Sequence, residues 1–405
     1  MYFKPLIDYA IAQNLAVQED ACYLENRLLE LFAAASPAEL PAMDFPEHPR
    51  LRELLTVYTA LAVQRGIIPD DSAQTSERFA AQLMGYFTPL PSVIALEFSI
   101  RGMQSAKMST DWFYHLCLAN GSIRTDRSAA QWKYETEYGT LDITAGLLQR
   151  KSEEGASCYP ECPLCREQEG AAGGGQNLRL VPLRLQGEPW YFRFAKEPSW
   201  NEHCILSDAR HIPLKTDRTG FAQLLDFVSQ FPHYSAAAEA DTAGADLQHA
   251  HFAGGREHFP LEDAQSFEVL HPEGYEDPEF CVLNWPVPVL RISGTDRECL
   301  AEIAEKVLNA WKAYAPEKQQ GIAAAARTRD GQFVLDLLPC SGTQNCSLSG
   351  RMGRALLPAG DCKDEAAQQE AAQRFVQALT QSAAFPPTDA GRTQFVQFVL
   401  DALKH

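Results

Sequence analysis

The sequence predicts an α+β protein with a mainly helical N-terminal region, and three observations carry that expectation. Apolar residues recur at helical spacing through residues 1–150. Period-two alternation takes over after Asn177. Strand–helix–strand patterns then occur in both halves of the remaining chain and suggest two related halves, although no sequence repeat is clean enough to establish them.

The helical expectation begins with Leu51, Leu54, Leu55, Tyr58, Leu61 and Ala62, which form one stripe on a helix. A proline-rich interval from Ser36 to Pro49 separates that helix from the one before it. Phe87-Thr-Pro-Leu-Pro91 is a second break, because each proline removes a backbone donor and biases its predecessor away from helix. Near Tyr138–Thr144 the pattern shifts toward strand. Residues 151–175 read as a linker carrying three cysteines and ending in Ala-Ala-Gly-Gly-Gly. Leu178, Leu180, Leu183 and Leu185, then Gln-Gly-Glu-Pro, then Trp190, Phe192 and Phe194 have hairpin chemistry. Phe221–Phe231 is a short amphipathic helix. Val287–Ser293 opens a second strand set, followed by a helix stripe of Leu300, Ile303, Ala304, Val307, Leu308 and Trp311 and a strand over Gln332–Leu337. Asp364–Leu403 is helical around a break at Phe385-Pro-Pro387. The expected division is a helical region over 1–150, a first catalytic half over 151–285, and a second half with C-terminal helices over 286–405.

Composition bounds the function. The 405 residues suffice for a sizeable core and carry 45% apolar and 22% charged residues, an ordinary globular balance. With 35 Lys+Arg against 53 Asp+Glu, the net charge of -18 leaves no general footprint for nucleic acid or anionic lipid. An anionic ligand would need a local basic or backbone site. The start lacks a basic segment followed by an apolar run, and no window holds 18 consecutive apolar residues. The eleven cysteines are odd in number and mostly isolated, so they read as reduced thiols of a soluble cytoplasmic protein.

Cys162-Pro-Leu-Cys165, with Cys158 upstream, has spacing that lets two thiolates share one tetrahedral Zn²⁺. A redox pair or plain loop cysteines would look the same. Of the ten histidines, His203, His211, His249 and His251 fall within fifty residues. His249-Ala-His251 places both imidazoles on one face of an extended backbone. His233, His258 and His271 read as solvated loop residues. Gly254-Gly255 frees the backbone to approach a phosphate, although a glycine pair alone is a weak signal.

The strings IRTDR (Ile123–Arg127), TEYGTLDIT (Thr136–Thr144), YPECPLC (Tyr159–Cys165), GEPWYF (Gly187–Phe192), NEHCI (Asn201–Ile205), FPHY (Phe231–Tyr234), HAHFAGGR (His249–Arg256) and WPVPVLRISG (Trp285–Gly294) resemble the type 2 galactose-1-phosphate (UTP–hexose-1-phosphate) uridylyltransferases. The resemblance runs in order along nearly the whole chain. It implies a histidine-triad-like fold of two half-barrels of antiparallel strands with helices. It also implies ping-pong transfer of a uridylyl group between UDP-glucose and galactose 1-phosphate. His251 matches the nucleophile, and neutral imidazole suits that role. Cys162, Cys165, His211 and His249 match a closed, structural zinc site. Arg124 and Arg127 fall where the wider superfamily holds the nucleotide, although exposed salt bridges are equally compatible. The implied ligands are UDP-hexose and hexose 1-phosphate, with no nucleic acid or membrane, and a homodimer is compatible with them.

Three departures stand out. Ala253 replaces the glutamine of the family's HxHFQGG motif. A Gly-Gly-Ser stretch before the HxH gives way to Ala236–Gln248. The histidine-rich C-terminal segment is missing, with no histidine between His271 and His405. Losing one phosphate donor costs about 2–4 kcal/mol of transition-state stabilisation. These losses leave two alternatives: a homologue that binds a nucleotide sugar or a partner without turnover, and one that hydrolyses a nucleotidyl bond.

Overall fold

A computed structural model describes residues 1–124, 130–146, 161–241, 248–316, 318–342, 347–358, 362 and 364–404. The described residues form an α+β protein with eleven α-helices and two sheets. They divide into two compact units.

One unit comprises residues 1–124 with 154–182 and 191–197. Its helices are α1 (Lys4–Ala12), α2 (Ala21–Leu31), α3 (Leu51–Gln64), α4 (Ala73–Gly85), α5 (Pro91–Gly102) and α6 (Ala106–Ala119). Pro91 opens α5, where a missing N–H costs nothing. Ser105 caps α6 by accepting the Met108 N–H at 3.1 Å. The expected stripe of α3 buries Leu54, Tyr58, Leu61 and Ala62. Tyr58 meets Phe3 at 5.4 Å between ring centres, and Phe3 meets Phe32 at 5.2 Å. Asn120 and Asn177 exchange amide-to-carbonyl hydrogen bonds of 3.0 and 2.8 Å, and Arg179 donates to the Pro89 carbonyl at 2.7 Å. These bonds tie the cysteine-bearing stretch to the helices. An added Cβ at Gly175 would lie 2.0 Å from the Gln168 carbonyl oxygen, so the glycine run is also a tight turn.

The second unit comprises residues 125–153, 183–190 and 198–405. A small sheet joins β1 (Ala130–Thr136) and β2 (Gly139–Ala145) in antiparallel fashion, with β13 (Arg354–Leu357) parallel to β2. The main sheet holds β3 (Val181–Leu185), β4 (Glu188–Phe194), β5 (Cys204–Asp208), β6 (Ser235–Ala238), β7 (His251–Gly255), β8 (Ser266–Leu270), β9 (Glu279–Leu283), β10 (Leu290–Gly294), β11 (Gln320–Arg329) and β12 (Gln332–Ser341). The strand order is β3-β4-β5-β7-β6-β11-β12-β10-β9-β8. Gln186 and Gly187, with φ of 51° and 78°, close the β3–β4 hairpin in the doubly positive manner of a type I′ turn. Asp330 and Gly331 do the same between β11 and β12.

The main sheet contains two stretches of like element order. The unit β5, α7 (Arg218–Gln230), β6, β7 is matched by β10, α8 (Arg297–Tyr314), β11, β12. The halves meet where Ala236, Ala237 and Ala238 pair with Ala326, Ala325 and Ala324. Helices α7 and α8 cover one face. The other face packs under Leu141, Ile143, Trp200, Phe259, Leu261, Trp285 and residues of α10 (Glu365–Gln381). Across the seam, Ala253 and Asp336 occupy equivalent places in the row Ala253, Ala237, Ala325, Asp336. Asp336 is fully buried between Arg291, at 2.7 and 3.0 Å, and Arg327, at 2.7 Å. Short α9 (Leu348–Arg351) and α11 (Asp389–Leu403) complete the unit.

Candidate active site

The strand β7 carries His251 between β5 and β6. Its register sets His251 opposite Ser207, Phe252 opposite Leu206, and Ala253 opposite both Ile205 and Ala237. Alternation sends Phe252 to the helical face, where it stacks on Trp190 at 4.7 Å. His251 and Ala253 take the other face. Gly254 and Gly255 are buried within β7, and packing accounts for both. A Cβ on Gly254 would lie 2.8 Å from the Cys204 sulfur, and one on Gly255 would lie 2.8 Å from the Asn201 carbonyl oxygen.

The imidazole of His251 is fixed by its own strand. Its Nδ1 lies 2.8 Å from the backbone oxygen of His249, an acceptor with no proton to give. The N–H therefore sits on Nδ1, and Nε2 keeps its lone pair. His249 is fixed in the opposite sense, with Nε2 2.8 Å from the Asp208 carbonyl oxygen, so its N–H is on Nε2 and Nδ1 has the form a metal takes. Burial, with the nearby His211 and His251 rings, holds His249 below the ordinary imidazole value despite its bond to Asp208. The support is itself anchored. The Asp208 carboxylate accepts Arg210 Nε and Nη2, each at 3.0 Å, and the Asp208 N–H donates to the Ala250 carbonyl at 2.9 Å.

Cys162, Cys165, His211 and His249 each offer one donor atom, and these four atoms all lie within 4.8 Å of one another. The sequence-derived ligand set is thus brought together. Two thiols and two imidazoles are the donor chemistry of a closed tetrahedral site for a borderline-soft divalent cation. The Leu164 N–H points at the Cys162 sulfur from 3.4 Å, an approach suited to a thiolate. Burial first, then the adjoining Cys162, pushes the Cys165 thiol up to about 11. The Cys165 thiol therefore holds its proton until a cation displaces it. Cys158 lies outside the described residues.

The family model for the N-terminal domain of galactose-1-phosphate uridyl transferase matches residues 15–213. The galactose-1-phosphate uridylyltransferase of Caldanaerobacter subterraneus subsp. tengcongensis is 34% identical, over 82% of this chain and 67% of its own length. That of Clostridium perfringens strain 13 is 34% identical over 82% and 72%, and that of Butyrivibrio fibrisolvens 32% identical over 83% and 93%. The chain belongs to the galactose-1-phosphate uridylyltransferase family. Among solved structures, yeast Ap4A phosphorylase Apa2 in complex with AMP covers 72% of this chain and 96% of its own at 12% identity, with a TM-score of 0.46.

Two candidate residues of this uridylyltransferase family member lie apart from β7 in the chain. Arg124 forms an ion pair with Glu77, which also faces Lys196 Nζ at 3.4 Å. Burial raises Glu77, but the bond from Arg124 and the charges of Lys196 and Arg124 outweigh it and leave the carboxyl below its ordinary value. Arg127 lies outside the described residues. His203 is part-buried, stacked on Trp200 at 4.8 Å, and desolvation pushes it down to about 4. The register also brings Ser207 opposite His251, which the sequence did not single out, and the buried Glu202 accepts the Tyr234 hydroxyl at 2.5 Å and pairs with Arg256 at 3.2 Å. Reading Cys204–Asp208 as a strand paired with the HxH strand would have found Ser207. Glu202 had no signal beyond its place in NEHCI.

Proposed function

We propose that this family member exchanges a uridylyl group between UDP-glucose and galactose 1-phosphate through a uridylyl-histidine at His251. The observation that carries the reading is the 2.8 Å contact of His251 Nδ1 with the His249 carbonyl oxygen. It leaves the Nε2 lone pair as the nucleophile in the neutral ring. In the first displacement the Nε2–P bond forms at the α-phosphorus as the bond to the β-phosphate oxygen breaks, and glucose 1-phosphate leaves with that electron pair. The proton stays on Nδ1, donated to the His249 carbonyl oxygen, and that bond stabilises the imidazolium as it forms. In the second displacement a phosphate oxygen of galactose 1-phosphate attacks the same phosphorus, the N–P bond breaks, and neutral His251 returns. Zinc held by Cys162, Cys165, His211 and His249 would be structural, fixing the backbone whose carbonyl orients His251. Arg124 and Arg127 are the proposed contacts to the diphosphate.

Intact mass measurement after incubation with UDP-glucose tests this. The expected result is a uridylyl adduct that disappears on adding galactose 1-phosphate and is absent from His251→Gly. An adduct that persists in His251→Gly would place the nucleophile elsewhere. Binding of UDP-glucose with no adduct in the wild type would instead mark a nucleotide-sugar-binding homologue.

A further inference from the structure

Ser207 faces the same side of the sheet as His251, directly across the β5–β7 ladder. Side chains opposed in this way have Cβ atoms about 4.5–5.5 Å apart. Ser207 is only 1% exposed, and its Oγ has no hydrogen-bond partner. A buried hydroxyl without a partner is uncommon and destabilising, because alanine would fit the same place at no such cost. The nearest positions on the same face as Ser207, Ile205 on its own strand and Ala253 diagonally across on β7, are apolar. The polar groups around it are engaged: His251 Nδ1 with the His249 carbonyl, His249 Nε2 with the Asp208 carbonyl, and the Asp208 carboxylate with Arg210. The Ser207 hydroxyl, by contrast, has none of these groups to bond.

We propose that Ser207 is the phosphate-contacting donor beside the nucleophile, binding a non-bridging α-phosphate oxygen of a nucleoside diphosphate sugar during attack by His251 Nε2. This rests on the reading of His251 as the nucleophile. Ala253, two residues along β7 on the same face, has only a methyl group and cannot donate. Ser207 reaches the phosphate from the adjacent strand instead. Its proton stays on Oγ throughout, and the bond strengthens as charge grows on the phosphate oxygen. A donor shielded from water is worth more there than in solution.

Single-turnover adduct formation at saturating UDP-glucose, UMP titration, zinc content and thermal midpoint would be measured for wild type, Ser207→Ala and Ser207→Thr. The expected result is about a 10-fold or greater fall in rate for Ser207→Ala. UMP affinity should fall in parallel, while the thermal midpoint stays level or rises because an unbonded hydroxyl is gone. Ser207→Thr, which keeps the hydroxyl, should recover most of the rate. Equal rates in wild type and Ser207→Ala would overturn the assignment while leaving His251 in place. Loss of zinc from Ser207→Ala with an unchanged rate would also overturn it, placing the hydroxyl against the cysteine cluster. If the wild type forms no adduct, the transfer reading fails and UMP affinity alone decides: equal or absent binding in wild type and Ser207→Ala overturns the assignment.

Discussion

At the scale of single residues, equivalent positions on the two halves of the sheet hold opposite chemistry. Ala253 sits half-buried against an apolar layer, whereas Asp336 is fully buried and held by two guanidinium groups. Burial raises Asp336, but the charges of Arg327 and Arg291 and their hydrogen bonds outweigh it, so its carboxyl lies below the ordinary range. A depressed folded-state value contributes stability above the unfolded carboxylate value, and that contribution is lost as pH falls through the folded one. Asp336→Asn should therefore be much less stable than wild type at neutral pH, by about 3–5 kcal/mol, since two buried cations lose their counter-charge. The gap should begin to narrow below about pH 4, the ordinary carboxylate value, and close as pH falls through the lower folded one. Urea midpoints at neutral and acidic pH check this, and a gap constant with pH would refute it. At the equivalent position, Ala253→Gln adds a donor on the face of His251. Adduct formation should rise about 10-fold. Crowding of the apolar layer should cost about 1–3 kcal/mol, read in the same midpoints.

At the scale of elements, legibility followed side-chain size. The helix stripe of α3, the break at Phe87–Pro91 and the hairpin of β3 and β4 were readable because bulky apolar residues keep a period and turn residues punctuate them. Strands β6 and β11 were not. Ser235–Ala238 and the Ile322–Ala326 part of β11 are runs of alanine, whose intrinsic preference is helical. Their pairing with each other and with β7 and β12 overrides it. The site divides in the same way. Spacing exposed the CxxC and the HxH, the family resemblance supplied the four-residue ligand set, and Ser207 emerges only once the register is known. The glycines of β7 also follow from register. Gly255→Ala and Gly254→Ala should both destabilise, the first because its methyl would meet the Asn201 backbone oxygen at 2.8 Å, the second because it would meet the Cys204 sulfur at 2.8 Å and the Ser235 backbone oxygen at 3.1 Å. We expect a loss of about 1–3 kcal/mol at Gly255, measured by chemical denaturation.

At the scale of the whole molecule, the zinc ligands proposed above, Cys162, Cys165, His211 and His249, are spread over nearly ninety residues of sequence. Ligands that a metal gathers from a long stretch of chain contribute binding energy directly to folding. The purified protein should contain one equivalent of zinc. Chelation or Cys165→Ser should lower the thermal midpoint by several degrees. Metal well below one equivalent after refolding with zinc would remove the site.

The seam between the halves also shapes how the chain is made. β6 ends at Ala238, and its partner β11 begins only at Gln320. A nascent chain therefore completes the strands of the first half while β6 is still an open sheet edge. Such edges recruit strands from other molecules. This one is four residues long and consists of serine and alanine, side chains with little grip on a foreign strand. The small residues that let the halves meet closely in the finished protein thus also make a poor template for aggregation while the ribosome is still supplying the second half.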